Sequence, residues 1–221
     1  LHVPPHVQRL LAFLALRDRP LRRDYVSGSL WTDVSQERAF AALRTTLWRI
    51  QQVDVPLIEA TSTDLALASK VLVDARELRA SSQRAIASQS RLAPDDVSIL
   101  TEADELLPDW YEDWVAHERD QLTQMRLRAL ESMCEALVAS RNFGAATAVA
   151  LAAIAADPLR ESARILAIRV HLEAGEDVEA VRQFLGYRDR LKAELGIEPS
   201  VRMLRSIHAA HGGLASGSRT V

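Results

Sequence analysis

Arg44, Thr45, Trp48 and Arg49 fall in one short segment, ERAFAALRTTLWRIQQ at residues 37–52, with Arg38 at its start. Arginine carries a planar fork that pairs bidentately with guanine or with a phosphate. Threonine can hydrogen-bond a phosphate without regard to sequence, and an indole adds apolar contact. Together these groups suit the surface of a nucleic-acid duplex. In the same segment Phe40, Leu43, Leu47 and Ile50 recur at offsets of 3, 7 and 10, which predicts an amphipathic helix with its apolar stripe turned away from the arginines. A plainer reading stays open for each group. The arginines would also serve as a solvated helix face, and Trp48 as a lid over the core beside Leu47 or a cover for the linker to the helical domain. Arg22 and Arg23 open an earlier predicted helix, where two cations at a helix N-terminus suit a phosphate or mark a polar boundary.

Three elements must hold these groups. Val7–Arg17 is apolar at Val7, Leu10, Leu11, Leu14 and Ala15, follows Pro4–Pro5 and stops at Asp18–Arg19–Pro20, so a first helix is expected there. A second runs from about Arg22, with Tyr25, Val26 and Leu30 apolar and Trp31 closing it. Thr32–Ser35 is a turn, with Ser35 placed to cap the third helix. Three helices with a basic third one form a helix-turn-helix grammar. Val55–Asp74 then reads as strand, turn and strand, with Leu65, Leu67, Val71 and Val73 sharing a face, the pattern of a wing.

From Asp74 onward the pattern is helical. Helices are expected at 78–91, 110–141, 144–156, 160–174, 178–195 and 200–211, with a break at Ala93–Pro94–Asp95, glycine stops at Gly175 and Gly196, and a flexible tail at Gly212–Val221. LVASRNFGAA at Leu137 aligns with LEAGEDVEAV at Leu172, an offset of 35 that points to stacked helix pairs of the tetratricopeptide kind.

With 221 residues and 48% apolar content the chain can bury one large core or two small ones, and no run is long enough to span a bilayer. The net charge of −3 conceals a split: residues 1–52 carry eight arginines against four acids, and the remainder 19 basic against 26 acidic residues. A basic head and an acidic body suit a module that meets a polyanion with one end. A single cysteine, Cys134, excludes an internal disulfide and fits a reducing compartment. The six histidines show no metal-ligand spacing, His208 and His211 included, and no glycine-rich phosphate loop occurs. Trp110, Tyr111 and Trp114 invite a ligand-pocket reading, but their spacing on one helix is expected to form a seam between domains. No catalytic residues, metal ligands or cofactors are expected.

The order of elements resembles the Streptomyces antibiotic regulatory protein (SARP-type, AfsR-like) activators. VQRLLAFLALRDRPLRRDYVSGSLW followed by LRTTLWRI is similar to their DNA-binding half. LLPDWYEDW, the DPLRE turn and the ELGIEPS ending are similar to their bacterial transcriptional activator domain. The resemblance implies a mainly α protein, in which a winged helix with a short β-hairpin wing precedes tetratricopeptide-like helices. The corresponding domains are 1–74, 75–211 and the tail 212–221. It also implies binding to direct repeats at promoters and contact with RNA polymerase. Carried over by position, Leu43–Ile50 is the recognition helix and the wing tip is Thr61, Ser62, Thr63 and Asp64. The family's bracing N-terminal strands would lie before Leu1, the wing here carries an acid, and Gln51 and Gln52 stand where a further arginine is usual.

The expected DNA-binding set is therefore Arg22, Arg23, Arg38, Arg44, Thr45, Trp48, Arg49, Thr61, Ser62 and Thr63. The expected partners are double-stranded DNA and RNA polymerase, with a homodimer admitted, no membrane, and a cytoplasmic location. The alternative is a protein-interaction or effector-binding repeat module whose winged helix has weak or no DNA affinity.

Overall fold

The structure, a computed structural model, describes residues 3–53, 55–87 and 93–207. The chain divides into two compact units, Leu1–Arg76 and Glu77–Val221.

In the first unit α1 (Pro5–Ala15) begins with proline at its first position, where the missing N–H costs nothing. It buries Val7, Leu10, Phe13 and Leu14. Phe13, absent from the expected stripe, displaces Leu11 and Ala15, which are half-buried. β1 (Leu21–Arg22) leads directly into α2 (Arg23–Leu30), which buries Val26, Ser27 and Leu30. Tyr25 is exposed and lies tilted against Phe13, with ring centroids 5.9 Å apart. α3 (Gln36–Ile50) follows a short turn, and Ser35 ahead of it has the extended backbone of a cap but makes no side-chain cap bond.

β2 (Ile58–Ala60) and β3 (Asp64–Leu67) form the expected hairpin, with Leu65 and Leu67 buried. The second strand ends at Leu67, so Val71 and Val73 lie outside it. β1 pairs antiparallel with β3, Leu21 opposite Leu65, in a three-stranded sheet of order β1-β3-β2. A two-residue strand carries no readable alternation, so only its pairing identifies it. Arg76 secures the unit by donating to the carbonyls of Leu14 and Ala15 in the last turn of α1 and of Arg17 just beyond it.

The boundary between units falls inside α4 (Asp74–Ala87). The second unit continues with α5 (Pro94–Glu102), α6 (Asp113–Ala139), α7 (Phe143–Ala156), α8 (Glu161–Ala174), α9 (Asp177–Leu195) and a helical stretch at 201–207. Pro94, read above as a break, starts a helix, because proline is favoured at a first helical position. The expected tail and the end of the last helix lie outside the described residues.

α6–α7 and α8–α9 are successive helix pairs whose turns share one backbone hydrogen bond and one left-handed residue. Asn142 N donates to Leu137 O at 2.9 Å, and Glu176 N to His171 O at 2.8 Å. The left-handed residues are Arg141 (φ 60°) and Gly175 (φ 79°). All three correspondences are 34 residues apart, one fewer than the sequence alignment, because backbone geometry sets the register and Arg141 occupies a place that favours glycine.

The motifs behind the resemblance are joints of this unit. Arg160 of DPLRE holds Glu131 of α6 through both carboxylate oxygens, at 2.7 and 3.3 Å, and Ser162 Oγ donates to the same carboxylate. Glu161 accepts from the backbone N–H and hydroxyl of Ser200, the last residue of ELGIEPS. Arg119 donates to Leu106 O, Leu107 O and Trp110 O, fastening the LLPDW turn in which Leu107 has φ 45°. Trp110 and Trp114 meet edge to face at 6.3 Å, while Tyr111 is 89% exposed. Ile168, Ala180, Tyr187, Leu191, Met203 and Ile207 form the core at the C-terminal end, with Tyr187 Oη donating to Leu159 O at 3.0 Å. Cys134 is fully buried and its thiol is pushed up to about 12 by that burial, so it is an inert packing residue.

Asp96 of α5 is buried and accepts a bidentate pair from Arg84 of α4, which also donates to Ser81 Oγ. The Arg84 guanidinium holds the Asp96 carboxyl below the usual carboxylate range, against the opposing effect of burial. A carboxyl depressed in the folded state stabilises fully above its unfolded value and loses that contribution as pH falls through the folded one. Melting temperature is therefore expected to decline below about pH 4, and Asp96→Asn to flatten that decline while lowering stability at pH 7. Thermal melts of both chains from pH 7 to pH 2 measure this.

Candidate nucleic-acid interface

α3 is sorted by burial into two faces. Ala39, Leu43, Thr46, Leu47 and Ile50 are buried, whereas Phe40 is only half-buried. The stripe is rotated from the expected one toward Ala39 and Thr46. Thr46 is a polar residue that reaches the core by donating its hydroxyl to Ala42 O at 2.8 Å. Hydrophobicity alone hides such a residue, because its hydroxyl is satisfied within its own helix.

Opposite the core, Arg38, Arg44, Thr45, Trp48, Arg49 and Gln52 are all exposed. At 3.6 residues per turn they span an arc of roughly 140°, with Arg44 at one margin, Arg49 at the other, and Trp48 and Thr45 between. Trp48 is 61% exposed and is therefore no lid over the core. The Thr45 hydroxyl donates to Ala41 O at 3.0 Å, so its proton is already committed to its own helix. Arg49 Nη1 lies 2.9 Å from Nε2 of His6 on α1. Arg38 and Arg44 have no side-chain partner among the described residues. Glu37 in the first turn and Arg49 in the last match the helix dipole.

The other expected residues converge through the sheet. Arg22 lies opposite Asp64 in the β1–β3 pairing, and Arg23 N donates to Thr63 O at 2.9 Å. The start of α2 and the wing tip are thus one surface feature, a proximity that a separation of 40 positions conceals in the sequence. Its charge is partly spent: Arg22 pairs with Asp24 at 3.2 Å, which holds that exposed carboxyl below its ordinary range. Arg23 is half-buried, and its Nε is buried without a hydrogen-bond partner. In the turn, Thr61 Oγ1 accepts from Asp64 N at 2.9 Å and Thr63 Oγ1 donates to the Asp64 carboxylate at 2.5 Å. Ser62 is exposed and has no partner among the described residues. Two of the three wing hydroxyls therefore shape the tip, which leaves α3 with the most available donors. His6 was not among the residues expected at the interface, since nothing local links it to Arg49 across 43 positions.

The second unit contains a cavity of about 540 Å³ lined by Leu78, Leu106, Leu122 and Ala152 together with the acids Glu102, Asp104 and Glu105. Arg126 also lines it, half-buried and donating to Leu100 O at 2.8 Å. Among the described residues no group of three His, Cys, Asp or Glu side chains is arranged to hold a metal. No helix among them is long and apolar enough to cross a membrane.

The model of the bacterial transcriptional activator domain matches residues 63–210, well over half of the chain. The chain belongs to that family. Its architecture, mainly α-helical with a winged helix ahead of tetratricopeptide-like helices, is similar to that of SARP-type transcriptional regulators, a family that is not a class of enzymes. The fold is similar to that of Mycobacterium tuberculosis EmbR, solved in complex with a low-affinity phosphopeptide, with a TM-score of 0.66 and 20% identity. The match covers 99% of this chain and 66% of the EmbR chain, and at that identity the likeness is one of fold. No curated protein sequence matches the chain.

Proposed function

We propose that this chain is a sequence-specific DNA-binding transcriptional activator that works in the cytoplasm, binds direct repeats at promoters and contacts RNA polymerase through its helical unit. A homodimer on the paired repeats is part of the same reading. The observation that carries it is the outer arc of α3, where three exposed arginines and an exposed indole stand on a helix whose other face is locked into the core. Such a helix fits the major groove, with the start of α2 and the wing tip, chiefly Ser62, set against the backbone.

The test is a titration of the 221-residue chain by fluorescence anisotropy against duplexes recovered by selection from random-sequence DNA. Enrichment of a repeated site is expected, with affinity falling linearly in log–log form as salt rises. Failure to enrich any duplex, or an affinity indifferent to salt, overturns the reading.

The cavity of the second unit favours a second reading, an effector- or protein-binding module with weak DNA affinity. Stoichiometric capture of a partner by a chain that enriches no duplex would select it.

A further inference from the structure

We propose that His6 is a positioning residue that aims Arg49 at the DNA; the proposal rests on the DNA-binding reading of α3. A guanidinium has five N–H donors and no acceptor. At 2.9 Å from Arg49 Nη1, the His6 Nε2 therefore takes the acceptor role in this contact. One donor is engaged and four remain for a phosphate or a guanine edge.

The imidazole stands on a rigid base. His6 is the second residue of α1, directly after Pro4–Pro5, and Val7 and Leu10 beside it are buried. Arg49 sits in the last turn of α3 at the margin of the outer arc, on a long exposed side chain that loses much rotamer freedom when bound. An acceptor held by a neighbouring helix removes part of that loss before DNA arrives, the usual gain from preorganisation. Arg38 and Arg44 have no comparable support among the described residues, which sets Arg49 apart. His6 is half-buried and Arg49 exposed, so the contact adds little to folding and its effect belongs to binding.

The test compares wild type, His6→Ala, His6→Gln, Arg49→Ala and the His6→Ala/Arg49→Ala pair, each titrated with the selected duplex. His6→Ala is expected to weaken binding about threefold to tenfold. His6→Gln, whose side-chain carbonyl can accept the same hydrogen bond, is expected to restore most of it. In the Arg49→Ala background His6→Ala is expected to have no further effect. Equal losses in both backgrounds, no loss at all, or a glutamine variant as weak as the alanine one would each overturn the proposal. ¹⁵N spectra of the free chain separate the two levels of failure. Arg49 guanidinium resonances that shift in His6→Ala, in a wild type that binds no duplex, overturn the DNA reading and the role of His6 with it. Resonances that do not shift, in a wild type that binds, overturn the role of His6 alone.

Discussion

Replacing Arg44 and Arg49 together by alanine is expected to weaken binding to the selected duplex about thirtyfold or more, and to lower the salt slope by about one for each phosphate contact removed. The lower bound follows from roughly 1 kcal/mol per arginine contact. Both side chains are exposed and point away from the buried face of α3, so melting temperature is expected to stay near that of the wild type. The arginines occupy opposite margins of the outer arc, and the single variants separate their roles. An arginine that reads a base relaxes selectivity at one position of the site, whereas one that holds a phosphate weakens all duplexes alike. Unchanged affinity and slope in the double variant would remove both arginines from the interface, and with them the observation on which the DNA-binding reading rests.

Arg160→Ala is expected to destabilise the helical unit by about 2–4 kcal/mol, measured by urea unfolding at pH 7. Arg160 grips Glu131 through both oxygens and Gln124 through a third bond at 2.9 Å, with the ion pair about four-fifths withdrawn from water. Burial alone raises the Glu131 carboxyl, but Arg160 and Ser162 outweigh it and keep the group below its ordinary range. Removing the guanidinium leaves a largely buried carboxylate with Ser162 as its remaining strong donor. Removing both charges is different: Glu131→Leu with Arg160→Met is expected to recover much of the loss, because the penalty lies in stranding one charge. Equal destabilisation by the single and the double variant would show that DPLRE acts through packing.

Legibility in the sequence followed the range of the interaction. The helices α1, α3 and α6 to α9 and the stops at Gly175 and Gly196 are written in neighbouring residues, as apolar periodicity and turn chemistry. Pro94 was ambiguous because proline both breaks a helix and begins one, and only the continuation of α5 decides. Phe40 and Thr46 misled the helix face, since hydrophobicity ranks them in the wrong order for burial. For the interface, residue type marked out Arg44, Trp48 and Arg49 as suited to DNA, and their role stays a proposal.

By itself the sequence determined most of the helical segments, α5 excepted, which helix would be basic outside and apolar inside, and which family the chain resembles. These properties depend on residues three or four positions apart and survive without any tertiary contact. Only the tertiary structure decided that β1 joins the wing, that Arg23 meets Thr63, that Arg160 and Glu161 fasten distant helices, and that His6 reaches Arg49. Each of those contacts joins groups tens of residues apart, and a directional hydrogen bond across such a gap leaves no periodic trace in the chain that makes it.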